Sequence, residues 1–193
     1  MNCAAARICF PGPGPSCRLR AMNKRIVAVL LALAVFVPAL ADAKTLKFPK
    51  NNPVFSVTFS ADWKAEITEA GIISAQPKGA AYAISIFPVQ ATTAKGAIEE
   101  TLKEVEKRFN DVKSSEPSEF TTENGIKFLE RDYTGKDKNS PRTLAIVAFS
   151  PDKETFFALF QAGTPEADKK YTEDVVAIVK SITPLKASGS DDD

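Results

Sequence analysis

Histidine is absent from this 193-residue chain. That absence excludes Ser-His-Asp and Cys-His catalysis, histidine-ligated metals and any histidine pH switch. Cysteine is confined to Cys3, Cys9 and Cys17, and tryptophan occurs once, as Trp63. No Gly-rich phosphate loop is present. Asn51-Asn52-Pro53 and Asn139-Ser140-Pro141 both fail as glycosylation sequons, and no S-x-x-K dyad sits at a helix start. Neither sign of charge dominates, with 25 Lys+Arg against 24 Asp+Glu.

What is present begins with two unlike N-terminal pieces. Residues 1–21 hold every cysteine, three arginines, a Pro-Gly-Pro-Gly-Pro run and no acid, and they show no apolar periodicity. They read as a disordered stretch from a start codon placed too far upstream. From Met22 the pattern becomes ordered. Asn23-Lys24-Arg25 is a positive leader, Ile26–Val37 is an unbroken apolar run, and Ala41-Asp42-Ala43 is a small-x-small cleavage pattern. This is the signature of a secretory signal peptide over residues 22–43, cut between Ala43 and Lys44. The apolar run reaches Pro38 well short of the roughly 20 residues needed to span a bilayer, so no membrane span is expected after cleavage. Zinc or C-x-x-C chemistry is excluded with it, because the cysteines leave with the leader.

Cleavage leaves 150 residues. Subtracting Arg7, Arg18, Arg20, Lys24, Arg25 and Asp42 leaves 20 bases against 23 acids, a formal charge of −3 that the terminal Asp191-Asp192-Asp193 accounts for. A body so nearly neutral argues against a nucleic-acid surface, which needs clustered positive charge. A chain of about 150 residues buries roughly 70% of its unfolded surface and folds without disulfides. A single domain is expected over residues 44–186, with residues 187–193 as a disordered acidic tail.

Along that domain, alternating apolar residues predict strands at Val54–Phe59, Trp63–Thr68, Gly71–Gln76 and Tyr82–Phe87, the last ended by Pro88. The period then becomes helical. Ile98, Leu102, Val105, Phe109 and Val112 are spaced 4, 3, 4 and 3, with Thr92 or Thr93 as N-cap and Glu99–Lys103 and Glu104–Arg108 as i,i+4 pairs. Strands follow at Ser118–Thr122 and Ile126–Tyr133, joined by Asn124-Gly125 in a type I′ turn. The nearly all-apolar Thr143–Phe149 is expected to be central, and Thr155–Phe160 is a further strand. Thr164 and Pro165 open a second helix whose stripe is Tyr171, Val175, Ile178, Val179 and Ile182, stopped by Pro184. Short turns imply antiparallel pairing, and two one-sided helices imply an α+β domain, a sheet of about six to eight strands covered by two helices.

Few residues carry a chemical suggestion. Trp63, at a turn after a strand, suits either core packing or ligand stacking. Gly135–Arg142 is the most polar loop. Its Lys136, Lys138 and Arg142 make either a solvated hairpin end or a contact for an anionic partner. Asp152 and Glu154 lack the oxygen array of a calcium loop. Glu130 and Asp132, two apart on one strand, are the best carboxylate pair for a hydrolase, though a solvated face is the simpler reading.

Two segments resemble the PsbP-like family. Phe55–Trp63 is similar to that family's early strand, short turn and Trp. The closing helix Tyr171–Ile182, with Val179-Lys180-Ser181-Ile182, resembles its final helix ending in a Ser-Ile or Ser-Phe pair. The resemblance spans residues 45–185. It implies an antiparallel sheet sandwiched between helices and membership alongside extrinsic photosystem subunits, a Ran-binding protein and small periplasmic proteins of the DcrB type. Such proteins share a fold and a tendency to bind partners rather than one chemistry. The expectation is therefore an exported, non-enzymatic binding or assembly protein of the envelope, periplasmic or secreted. It would act through protein or small-ligand contacts, with no cofactor and no catalytic or metal residues. The alternative is a secreted hydrolase using carboxylates or Ser/Lys.

Overall fold

The computed structural model describes residues 43–185. The expected mis-called start over residues 1–21, the signal peptide up to Asp42 and the acidic tail lie outside the described residues. The elements in chain order are β1 (Lys44–Phe48), β2 (Phe55–Phe59), β3 (Trp63–Ile67), β4 (Ile73–Pro77), β5 (Tyr82–Val89) and α1 (Ala94–Glu106). After α1 come β6 (Asn110–Ser114), β7 (Ser118–Thr121), β8 (Lys127–Asp137), β9 (Ser140–Phe149), β10 (Phe156–Gly163), α2 (Pro165–Ser181) and β11 (Thr183–Pro184).

Eight strands form one antiparallel sheet in the order β3-β4-β5-β10-β9-β8-β6, with β7 also paired to β8. The α+β class and the antiparallel pairing are as the sequence predicts. β9 is central and buried along its second half, as its apolar run requires. The sheet has two unlike faces because side chains alternate along each strand. On one face Leu144, Ile146, Ala148 and Ala158 pack under α1 through Ala97, Ile98 and Val105. On the other, Ile84, Ile86, Phe149, Phe157 and Leu159 pack under α2 through Tyr171, Val175, Ile178 and Val179. A second, three-stranded sheet, β1-β2-β11, joins α2 in covering that face. Its Phe55 meets Phe149 and Phe157 edge-on at 5.4 and 5.1 Å.

Several expectations are corrected. The helical stripe through Phe109 and Val112 stops at Glu106, and Val112 lies on β6. Asn110-Asp111 breaks the period, with Asp111 at φ 55°, a conformation that Asp tolerates better than most residues. Phe109 still reaches the α1-side core, tilted against Phe160 at 6.3 Å. The surface pairs on α1 are Lys95–Glu99 and Glu104–Lys107 rather than those expected.

β5 continues through Pro88 to Val89. Pairing with β4 has ended by Ile86, so at Pro88 β5 keeps a neighbour on one side only, β10, where Pro88 lies opposite Phe157. The β7–β8 turn is not type I′, since only Gly125 of the Asn-Gly pair has positive φ, 78°. A left-handed glycine closes the turn, its N–H donating to the Thr122 carbonyl at 2.9 Å.

α2 forms as its sequence directs. Thr164 caps it by accepting from the Ala167 N–H at 3.2 Å, and Pro165 fills the first turn. At its end the Ser181 hydroxyl accepts from the Thr58 N–H at 2.9 Å, which ties the closing Ser-Ile pair to β2.

Candidate functional site

The register across β8, β9 and β10 places side chains in rows on the α2-facing side. Asp132 lies opposite Ala145, and Ala145 opposite Gln161. In the next row Thr134 faces Thr143, Thr143 faces Gly163, and Gly163 faces Tyr82. Adjacent strands are about 4.8 Å apart, so Asp132 and Gln161 flank a methyl group. Ala145, Thr143 and Gly163 are too small to reach up to α2. Where Val147, Phe149 and Leu159 occupy the same face, the helix seats closely. Where the small residues replace them, a gap remains.

That gap is an open cavity of about 660 Å³ lined by Glu130, Asp132, Gln161 and Asp168, with the exposed Lys113 and Thr172 also on its wall. A second cavity of about 690 Å³ continues toward the C-terminal half of α2, lined by Phe120, Asn124, Val147, Val176 and Val179. Glu130, Val175 and Val176 line both, which makes them one trough between β8 and α2. Its two ends differ chemically: the first gathers three carboxylates, and the second, the more apolar end, sets Phe120 and four valines beside Thr121, Thr122, Glu123, Asn124 and Lys180. Phe120 and Val176, exposed at 36% and 44%, stand out among the described residues as large apolar side chains open to solvent, and both are in the apolar end.

The acidic end is electrostatically unrelieved. Burial, reinforced by Asp132, raises the Glu130 carboxyl above its ordinary value. Burial also raises Asp168, with Asp132 adding to the effect and the Tyr82 hydroxyl opposing it. Tyr82 donates to Asp168 Oδ1 at 3.4 Å, and burial and that carboxylate push its own pKa up. Gln161 is only 9% exposed, and its Oε1 is buried without a hydrogen-bond partner. A buried unpaired acceptor carries a real desolvation cost. Among the described residues no group of three or more Asp, Glu, His or Cys side chains is placed to hold a metal ion.

The residues singled out by sequence are dispersed. Trp63 is 4% exposed, set edge-on to Tyr82 and Tyr171 at 6.1 and 5.9 Å, with its Nε1–H donating to Asp174 Oδ2 at 3.2 Å. It is turned into the core and leaves no open ring face. Lys136 pairs with Asp111 at 2.8 Å and Arg142 with Asp137 at 3.4 Å. Lys138 is at the hairpin tip with φ 56°. The expected loop Gly135–Arg142 is instead the paired end of the β8–β9 hairpin, with only Lys138 and Asn139 in the turn, and its positive charge is largely neutralised by neighbours. Ala43 and Lys44 open the described chain, with Lys44 Nζ donating to the Ala65 carbonyl at 2.7 Å. Glu130 and Asp132 do share a face; Asp132 is exposed to solvent, whereas Glu130 is half-buried in the trough beside Val175.

Asp168 and the small floor residues carry no signal of this site in the linear sequence. A glutamine inside the otherwise apolar run Phe156–Ala162 was the one available hint.

No protein-family model matches the chain, and no curated protein matches it either. Solved structures do. The cyanobacterial PsbP (CyanoP) of Synechocystis sp. PCC 6803 superposes with TM-score 0.56 at 7% identity, covering 77% of this chain and 96% of that one. LpqN of Mycobacterium tuberculosis, described as involved in cell envelope biogenesis, superposes with TM-score 0.53 at 13% identity, covering 75% and 92%. The chain has the PsbP-like fold.

Proposed function

We propose that this protein is an exported, non-enzymatic binding or assembly protein of the cell envelope, which receives a partner or ligand in the trough between β8 and α2. The observation that carries this reading is the trough itself, an acidic end continuous with an apolar end that exposes Phe120 and Val176. Exposed apolar side chains gathered in a concave site are a usual mark of a binding surface. Export is supported by the leader at Met22–Ala43. Among the described residues no helix is long and apolar enough to cross a membrane. The envelope role described for LpqN agrees with the reading.

A second reading, a carboxylate hydrolase, is favoured by one observation: Glu130 has a raised carboxyl beside Asp132 within the trough. Site-specific photo-crosslinking in the native host separates the two. A photoreactive residue at Val176 should give a discrete adduct, whereas one at Lys95, on the exposed face of α1, should give none. Equal labelling from both positions would refute the binding reading. So would turnover of a glycoside or ester panel that Glu130→Gln abolishes.

A further inference from the structure

We propose that the outer edge of β7 is an interface between two copies of this chain, which pair β7 with β7 antiparallel about a two-fold axis beside Phe120. The inference goes beyond the binding reading above and does not rest on it, because the free edge of the large sheet carries it.

The first observation is a row of aromatic rings across four strands. Register sets Phe157 on β10 opposite Phe149 on β9, Phe149 opposite Phe128 on β8, and Phe128 opposite Phe120 on β7. Successive ring centroids are 5.8, 5.2 and 5.1 Å apart, and the last pair is stacked with 6° between its planes. Phe157, Phe149 and Phe128 are buried, whereas Phe120 is 36% exposed. The row runs out of the core and stops, uncovered, at the sheet edge.

The second observation is in the backbone. The Thr122 N–H donates to the Ile126 carbonyl at 3.1 Å. Alternation along an antiparallel ladder gives Phe120 and Ser118 the same inward bonding to β8, and it turns the N–H and C=O of Glu119 and Thr121 outward. Among the described residues no strand pairs with that side, and all of β7 is exposed. Other edges of the sheet are guarded. β6 is interrupted by a register shift at Asp111, and β3 has the Lys44 ammonium of β1 on its Ala65 carbonyl. β7 is regular and open.

A second copy fits this edge because the pattern is self-complementary. The outward groups stand symmetrically on either side of Phe120. A two-fold axis there bonds Glu119 to the second copy's Thr121, and Thr121 to the second copy's Glu119, in four backbone hydrogen bonds. Phe120 then faces the second copy's Phe120 in a non-hydrogen-bonded pair, the closer kind, with Cα atoms about 4.5 Å apart. The aromatic row continues into its own two-fold image, and the open ring is covered.

The other face of the strand is complementary in charge. Lys127 lies opposite Thr121 on β8, so pairing places the second copy's Glu119 two strands from Lys127, about 10 Å between Cα atoms. Both side chains are long enough to meet over the small Thr121. Among the described residues neither Glu119 nor Lys127 has an ion pair within its own chain. The register also keeps the two copies of Glu119 from facing each other, which would be destabilising.

The test is sedimentation velocity on the protein purified after export, over a concentration series reaching the millimolar range. A reversible monomer–dimer equilibrium is expected, and a short strand makes a small interface, so association should be micromolar or weaker. Phe120→Lys sets two ammonium groups on the axis, and Thr121→Pro removes an outward N–H that β8 does not use. Each should weaken association by about tenfold or more. Glu119→Lys should weaken it too, and adding Lys127→Glu should restore it. Lys64→Glu, on the exposed side of β3, should change nothing. In a mixture of labelled and unlabelled protein, an isotope-filtered NOE between the Phe120 Hα protons of the two copies reads the register directly. A protein that stays monomeric throughout overturns the proposal. So does a dimer that Phe120→Lys and Thr121→Pro both leave untouched, or one without the Phe120 NOE. Crosslinking from Val176 tests the trough separately, so either reading can fail while the other stands.

Discussion

Gly163 has no positive φ to justify it, yet a Cβ there would run into the ring of Tyr82. The glycine is therefore required by packing. It lets Tyr82 lie across β10 and bring its hydroxyl to Asp168. Overpacking of this kind is destabilising by about 1–3 kcal/mol, so Gly163→Ala should lower the stability measured by urea unfolding by that order. An unchanged midpoint would show that the ring has room to move. Asn124 acts at the opposite end of α2. Its Nδ2 reaches the carbonyls of Lys180 and Ile182 at 3.3 and 3.0 Å and the Thr183 hydroxyl at 3.1 Å. The β7–β8 turn thus supplies donors for helix-terminal carbonyls that otherwise lack them. Asn124→Ala should cost about 1 kcal/mol, or about 3 °C in Tm. Asn124→Asp should not rescue it, since a carboxylate cannot donate to a carbonyl. A calorimetric Tm equal to the parent's would dismiss this contact.

At the level of elements, β8 and α2 determine how stability responds to pH. Glu130 on β8 and Asp168 on α2 both line the trough, with Asp132 and Tyr133 on β8, Lys113 on β6, Glu123 in the β7–β8 turn, Lys180 on α2 and, bonded to Asp168, Tyr82 on β5 as the other ionisable groups. Both carboxyls are raised in the folded state, so the folded protein holds protons that the unfolded chain releases. The contribution of these two groups is then fullest in acid and declines as pH rises from the ordinary carboxylate range through the raised values, while the lowered Asp111 and Asp152 act in the opposite sense. Glu130→Gln removes the Glu130 share of that decline and leaves the Asp168 share. Its Tm should exceed the parent's near pH 7 and match it near pH 3, by a few degrees at most because the carboxyl is partly solvated. A lower Tm than the parent at neutral pH would mean that the carboxylate is stabilising instead. The alternation that puts Glu130 and Asp132 on one face was readable along β8, as were the caps and stripe of α2. Their joining with Gln161 and Asp168 was not, because it depends on the pairing of β8 with β9 and β9 with β10, which no local period encodes. The failed helical extension to Val112 has a local cause: Phe109 keeps the 4-3-4 spacing by burying itself after the helix has ended. β6 was missed with it, and β6 supplies the Asp111 that neutralises Lys136.

For the molecule as a whole, the two apolar cores on opposite faces of the large sheet do the work that disulfides do in many exported domains. This arrangement makes the position of the expected cleavage testable in a specific way. β1 pairs with β2 from Lys44 opposite Phe59 through Phe48 opposite Phe55, and Phe48 is buried in the α2-side core. A cut between Ala43 and Lys44 would spare this ladder and the bond from Lys44 Nζ to Ala65. A cut several residues later would strip the edge of the small sheet and uncover Phe55, whose ring packs on Phe149 and Phe157. The protein isolated from its native envelope should therefore begin at Lys44 by intact-mass analysis. It should also show no reaction with a thiol reagent under denaturing conditions, because Cys3, Cys9 and Cys17 would be gone. Its Tm should be the same with and without reductant. An N-terminus at Met1, or one titratable thiol per chain, would refute both the cleavage position and the cysteine-free exported state, whereas one at Met22 would refute the cleavage position alone.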